Sequence, residues 1–519
     1  MIYTLKHRRF VLCSVLFLVC AVISLGDPIR IDSGKITGVQ ASDDPSITVF
    51  KGIPFAAPPI GHSRWKAPQP VTPWNGVKVM DNFGDNCLQP RGENRKQGNM
   101  SEDCLTLNVW TPAKNPKAKL PVMVWIHGGG FTNGSGRLAN GVGLAKRGVV
   151  LVSINYRLGP LGFFAHPLIS QESQRGVSGN YGILDQTCAL KWVQRNIAAF
   201  GGNPDNVTIF GESAGGAAVY ILCASPLSKG LFHKAIAESP WITDGSISPL
   251  KRPAYSRESV EATGVRIADL LCEGSTVTLD ALRAVKADDL VIKTRKGYRL
   301  PAAVDGYVLK DNPHNVFARG EQLNIPFIAG SNTDEGTMFT WYKTDYTMEE
   351  FEEILRKAYN ECADRMIDVY NVTSQDDVMR AVNQRVNDDW FAQPTRWMVR
   401  HMAKVNPNTY LYHFAHTNVN MSPSWRSAHA AELAFVFGSI KPENQTPSYK
   451  YLSNAMMTYW TQFAKTGNPN VGGLPQWPRY QRNADQNILL DAPIRLESHY
   501  LKKNLDALDK VYEKIGKYK

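Results

Sequence analysis

Beyond its first 26 residues this 519-residue chain has no block of lysine and arginine, although its formal net charge is +11. Basic residues are scattered and are not interleaved with aromatics. That excludes a nucleic-acid-binding surface and leaves a mildly basic, solvated one. No sequence period repeats, no low-complexity tract occurs, and no flexible linker divides the chain. Solenoids and strings of modules are thereby excluded, and residues 27–519 are expected to form a single domain with long insertions. No cluster of His, Cys, Asp or Glu has metal-ligand spacing, so neither a metal nor an organic cofactor is expected. Cysteine is scarce: there are eight, and Cys13 and Cys20 precede residue 27. Past that point no apolar run is long enough to cross a bilayer.

The first 26 residues are different. Lys6, His7, Arg8 and Arg9 precede an apolar run from Phe10 to about Leu25, and small residues follow at Ser24 and Gly26. A basic region, a short apolar region and small residues near a cut site predict a secretory signal peptide over residues 1–26. The tail "EKIGKYK" carries neither a retention signal nor a lipid-anchor signal. The mature protein is expected to be secreted and without a membrane anchor.

Secretion permits disulfides among the remaining six cysteines. Cys87 and Cys104 flank a polar loop and are the first candidates for a bridge. Cys188 and Cys223 lie in apolar helical stretches and read as buried thiols. Cys272 and Cys362 either pair or stay free. Sequons at Asn99, Asn371, Asn420 and Asn444 sit in polar, loop-like contexts and are glycosylation candidates; Asn133 and Asn206 are weaker ones.

What is present is an α/β rhythm. "IRIDSGKITGVQ" and "SITVFKGIPFA" alternate and suggest an antiparallel edge. "PVMVWIHGGG", "VVLVSINYR" and "NVTIFGES" are short, almost continuous apolar runs, as suits strands buried on both faces of a mostly parallel sheet. Between the last two, "DQTCALKWVQRNIAAF" has helical spacing and is stopped by Gly201 and Gly202. "IPFIAGSN" and "TYLYHFAHT" predict two more strands, and helices are expected between Met348 and Val405.

Within this rhythm, "GESAG" places Ser213 on a tight turn between a strand and a small-residue helix. That is the setting in which a Gly-x-Ser-x-Gly serine becomes an exposed nucleophile. A serine hydroxyl needs a base to take its proton and amide donors to hold the oxyanion. "WIHGGGF" ends a strand in glycines, and the amides of Gly129, Gly130 and Ala214 can converge on one oxygen. In this fold class the acid and then the histidine follow the serine. Among His401, His413, His416, His429 and His499, only His429 lies in a loop after a strand, which favours it. For the acid, Asp334 and Glu335 in "GSNTDEG" both end a strand, and pattern alone does not choose between them. Trp241, and Trp390 with Phe391 in "NDDWFAQPTRW", are candidates either for a substrate-pocket wall or for ordinary core.

These blocks, with "FKGIPFAAPP", "SEDCLTLNVWTP", "NYRLGPLGFF", "GNYGILDQ", "HAAELAFVFG" and "FAKTGNPN", resemble the type-B carboxylesterase/cholinesterase family of α/β-hydrolases from about Ile29 to Arg482. The resemblance implies the α/β-hydrolase fold, a mostly parallel central sheet with helices on both faces and long insertions. It implies a carboxylic-ester hydrolase working through an acyl-enzyme on a small-molecule ester, with Ser213, Glu335 and His429 as triad. Gly129, Gly130 and Ala214 become the oxyanion hole and Cys87–Cys104 the family's first disulfide. Ser239 matches a serine that supports the acid–base network, and Arg157–Asp185 and Arg64–Glu102 match structural ion pairs.

Departures narrow the reading. Residues 88–103 contain no aromatic, which argues against a quaternary-ammonium substrate and for small to medium uncharged esters. Ala281 stands where the partner of Cys272 is expected. A lipase acting on lipid esters, and a non-catalytic interaction protein, are the alternative functions.

Overall fold

A computed structural model describes residues 27–90, 98–243, 246–253, 258–295, 300–417 and 425–516. The expected signal peptide and the sequon at Asn420 lie outside the described residues. Eleven strands form one sheet. In chain order they are β1 (Val39–Gln40), β2 (Thr48–Pro54), β3 (Thr106–Thr111), β4 (Leu120–Ile126), β5 (Val150–Ile154), β6 (Gly202–Glu212), β7 (Lys234–Glu238), β8 (Phe327–Asn332), β9 (Thr409–Phe414), β10 (Gln486–Leu490) and β11 (Arg495–Ser498). Their spatial order is β11-β10-β9-β8-β7-β6-β4-β5-β3-β2-β1. The run from β10 through β5 is parallel, and both edges are antiparallel.

The parallel strands read as apolar runs because both of their faces are covered. Ile209 and Val207 of β6 point to one face, where they join Leu190 of α1 (Tyr181–Asn196) and Val219 of α2 (Ala214–Ala224). Phe210 points to the other, with Trp460 of α4 (Pro447–Thr466). A third helix, α3 (Gln393–Val405), packs Met398, Val399 and Met402 on the first face. Each fully buried aliphatic side chain contributes about 1.5–3 kcal/mol. The 3-10 turn that extends α1 ends at Gly201, whose φ of 78° lets the chain reverse.

One sequence expectation is only partly met. "SITVFKGIPFA" does form an antiparallel edge, as β2 beside β3. Ile29–Ile31 and Gly34–Thr37, however, form a separate three-stranded sheet with Val77–Val79. Period-2 alternation identified the strands without specifying their partners.

Cys87 and Cys104 are joined by a disulfide, and Cys188, Cys223, Cys272 and Cys362 are free thiols. Cys223 is buried as expected, whereas Cys188 is only partly so. Asn99 and Asn371 are exposed and Asn444 is half-buried. The side chain of Asn206 is engaged by Lys234 and the Lys465 carbonyl.

Candidate active site

Parallel strands leave their C-terminal ends at one edge of the sheet, and loops there carry the chemistry of open α/β folds. Ser213 stands on the turn from β6 into α2, with φ 59° and ψ −121°, a conformation that costs a non-glycine residue free energy. Three bonds hold it: Ser213 N donates to the Glu238 carbonyl at 3.0 Å, while its carbonyl accepts from Ala217 at 2.9 Å and Trp241 at 3.0 Å. The two glycines of the frame have a steric reason. A Cβ on Gly211 would fall 2.6 Å from the backbone of Gly215 and of Ile126, and one on Gly215 would fall 2.0 Å from the Ile126 carbonyl. The turn is pressed onto β4, and only glycine fits at either side.

The glycine loop leaves the end of β4 and lies against this turn. A Cβ on Gly128 would meet Ser213 Cβ at 3.0 Å. Gly129, with φ 101°, and Gly130, with φ 61°, adopt backbone that favours glycine. Thr132 and Asn133 close the bend by donating to the Gly129 carbonyl. Ala214 is the first residue of α2, so its amide is among those a helix leaves without an internal acceptor. His127 pins the loop from beneath. It stacks on Tyr156 with ring centroids 4.4 Å apart, and Tyr156 donates to the His127 carbonyl at 2.7 Å. Burial lowers the His127 pKa to about 4, so it is neutral.

Glu335 lies three residues past β8 and is fully buried. Its Oε1 accepts from the Asn332 amide at 2.8 Å, and its Oε2 accepts from His429 Nδ1 at 2.6 Å. Asp334, its neighbour, turns to the Ser427 amide and Arg426 instead. The pair that pattern left open is thus separated by geometry. The His429 ring is walled by Phe391 at 4.6 Å and Phe339 at 5.1 Å. Its Nε2 is buried without a hydrogen bond and lies 3.1 Å from Glu212 Oε1, the side chain just before Ser213. Burial pulls the His429 pKa down, but the charges of Glu212 and Glu335 outweigh it and raise it above the usual 6.5.

Three of the other candidate histidines are occupied elsewhere: His413 with Glu497 and Thr333, His416 with Asp491, and His401 with the Trp397 carbonyl. Ser239, with φ 40°, is buried and donates its amide to the Gly330 carbonyl. Trp241 and Trp390 are half-buried near the elbow, and the Ile242 amide donates to the Trp390 carbonyl. Trp390 and Phe391 belong to a π-helical turn, Asp388–Ala392, inserted ahead of α3. Such insertions re-aim side chains and cluster at functional sites. Phe391, unlike the two tryptophans, is fully buried.

Sequence reasoning missed the surroundings of the histidine. Glu238, Glu432 and Phe339 all reach this region. A glutamate ending the otherwise apolar strand "KAIAE", and another three residues past His429, were the available signals. Among the described residues no group of three or more His, Cys, Asp or Glu is arranged to hold a metal ion. No helix among them is long and apolar enough to cross a membrane.

Comparison with known proteins gives the family. Residues 27–508 match the model of the carboxylesterase family. The chain is 36% identical over 477 residues to a fumonisin B1 esterase of Sphingopyxis macrogoltabida, covering 87% of this chain and 84% of the relative. It is 35% identical over 496 residues to a para-nitrobenzyl esterase of Bacillus subtilis, covering 90% and 95%. The solved structure of a thermophilic PNB esterase superposes with a TM-score of 0.80 at 33% identity, over 93% of this chain and 99% of that one.

Proposed function

Since this chain belongs to the carboxylesterase family and is a carboxylic-ester hydrolase, we propose that it cleaves small to medium uncharged esters through an acyl-enzyme on Ser213. His429 Nε2 takes the hydroxyl proton as Ser213 Oγ attacks the ester carbonyl. Glu335 fixes the Nδ1–H tautomer and stabilises the imidazolium. The amides of Gly129, Gly130 and Ala214 bind the oxyanion. The imidazolium then protonates the departing alcohol, and water repeats the sequence on the acyl group. The observation that carries this reading is the 2.6 Å Glu335–His429 bond beside a serine on a strained turn. Trp241, Trp390 and Phe339 form the wall against which an acyl chain lies. The basic, apolar and small-residue order of residues 1–26 supports secretion by a cleaved signal, and Asn99 and Asn371 are accessible for glycans.

Purified protein is expected to hydrolyse a short-chain p-nitrophenyl ester, and Ser213→Ala to lower kcat by about 10⁴–10⁶-fold. Wild-type turnover by the variant would overturn the reading. A preference for lipid esters is the second reading, because Trp341 and Tyr342, just past Phe339, are 65% and 71% exposed. A rate that jumps above the solubility limit of a long-chain ester would favour it.

A further inference from the structure

Four glutamates, Glu212, Glu238, Glu335 and Glu432, are buried near one another, and two of them, Glu212 and Glu335, lie against the His429 imidazole. Among the described residues none of them pairs with a lysine or arginine, and His429 is the ion-pair partner of both Glu212 and Glu335. One imidazolium balances one carboxylate, and Glu335 holds that place. The others must be neutral or share protons, because neighbouring buried carboxylates do not ionise together.

Glu238 is the member with the most defined geometry. It ends β7 directly beside Glu212 at the end of β6, as register partners on parallel strands. Such strands lie about 4.8 Å apart, with side chains of a register pair on the same face. The Glu238 carbonyl accepts the Ser213 amide, so it also belongs to the elbow. Its Oε1 accepts from Trp460 Nε1 of α4 at 2.7 Å. Its Oε2 is buried without a hydrogen bond, and so is Oε1 of Glu212. The next position across the sheet is Gly330, where a Cβ would fall 2.2 Å from the Tyr412 ring. That missing side chain lets Tyr412 lean over the strand toward the glutamates, its own hydroxyl also unpartnered. Burial keeps Tyr412 neutral.

We propose that Glu238 is a positioning residue carrying a proton shared with Glu212: its Oε2–H donates through one bridging water to Glu212 Oε1. Because Glu212 Oε1 lies 3.1 Å from His429 Nε2, an unrestrained Glu212 carboxylate would hold the histidine as an imidazolium and silence it as a base. The shared proton weakens that hold. Burial, with the charge of Glu212 adding to it and the Trp460 bond opposing it, raises the Glu238 pKa to about 8. Burial likewise raises Glu212 to about 7.

This proposal rests on the esterase reading only for its kinetic test. In infrared spectra of the full chain at pH 7, wild type minus Glu238→Gln is expected to show one protonated carboxylic-acid carbonyl band. A carboxylate band in its place would overturn the proposal, whatever the ester kinetics show. In kcat profiles on a short-chain p-nitrophenyl ester, wild type is expected to fall in a limb near pH 8 that Glu238→Gln lacks. Trp460→Phe keeps the carboxyl but removes the bond that favours its ionised form, so the limb should move up by about one pH unit. Should both variants keep the wild-type limb, the proposal falls. Absence of ester hydrolysis in wild type would sink the esterase reading and leave the infrared test standing.

Discussion

At His429 two influences of opposite sign meet. Burial alone would depress an imidazole, as it does at His127. Two carboxylates against the ring reverse the outcome and raise it. A raised pKa keeps the protonated form to higher pH, and only the neutral ring can accept the serine proton. Activity is therefore expected to rise through an acid limb centred above pH 6.5 in kcat/KM. The limb belongs to the coupled carboxylate–imidazole group rather than to His429 alone. Glu335→Gln removes one of the raising charges, so the limb should move to lower pH while kcat falls by about 10⁴-fold through loss of the correct tautomer. A limb that stayed in place would show that Glu335 does not act on the ring. At this scale Ser213 and His429 were legible in the sequence, because each sits next to a turn or a strand end with a chemical reason. The choice of Glu335 over Asp334 was not legible in pattern. Adjacent residues past a strand face opposite ways, so the choice came from the family resemblance, and the fold shows the physical reason for it in which carboxylate meets the histidine.

The elements around the serine are held by main chain rather than by side-chain chemistry. Gly211 and Gly215 meet backbone atoms, and neighbouring backbone can yield only by moving β4 or α2. Gly215→Ala is expected to drive a methyl into the Ile126 carbonyl and to destabilise the protein by about 1–3 kcal/mol. A lowered Tm and at least a tenfold loss of kcat would be measured together; wild-type values for both would refute the close packing. The strand–turn–helix unit itself was readable from "TIFGESAGG", since apolar period, glycine frame and small-residue helix all agree. The π-helical turn that aims Trp390 and Phe391 was not. Its sequence, "DDWFA", is compatible with an ordinary helix, and the extra residue per turn is set by what packs on either side. Ile29–Ile31 went to a minor sheet for the same reason: alternation fixes a strand's faces and leaves its partners to tertiary packing.

Across the whole molecule, a few buried ion pairs tie distant stretches together. Arg157 forks onto Asp185 at 2.7 and 2.8 Å, both side chains almost wholly buried. It thereby joins the loop after β5 to α1. Arg64 grips Glu102 at 2.6 and 2.7 Å and the carbonyls of Arg283 and Val285, which clamps the disulfide-bearing segment to a remote helix end. Removing one member of such a pair leaves the other charge uncompensated. Asp185→Asn is expected to cost about 3–5 kcal/mol, read as a lower midpoint in urea unfolding. A midpoint within error of wild type would show that Arg157 finds another anion.

The close approach of Gly128, Gly211 and Gly215 to their neighbours has a consequence for how such a protein can change. At Gly211 and Gly215 the neighbours are backbone atoms, and at Gly128 they are Glu212 and Ser213 themselves, so the elbow and the glycine loop are locked to each other. Trp241, Phe339 and Trp390 stand on three separate segments and contribute none of those contacts. If these residues form the proposed wall, the side chains of Trp241 and Trp390 can be exchanged with less effect on the glycine packing than Phe339, which also lies against the His429 ring. The molecule is built so that selection, natural or in the laboratory, can exchange one ester for another while the way of breaking it is inherited intact.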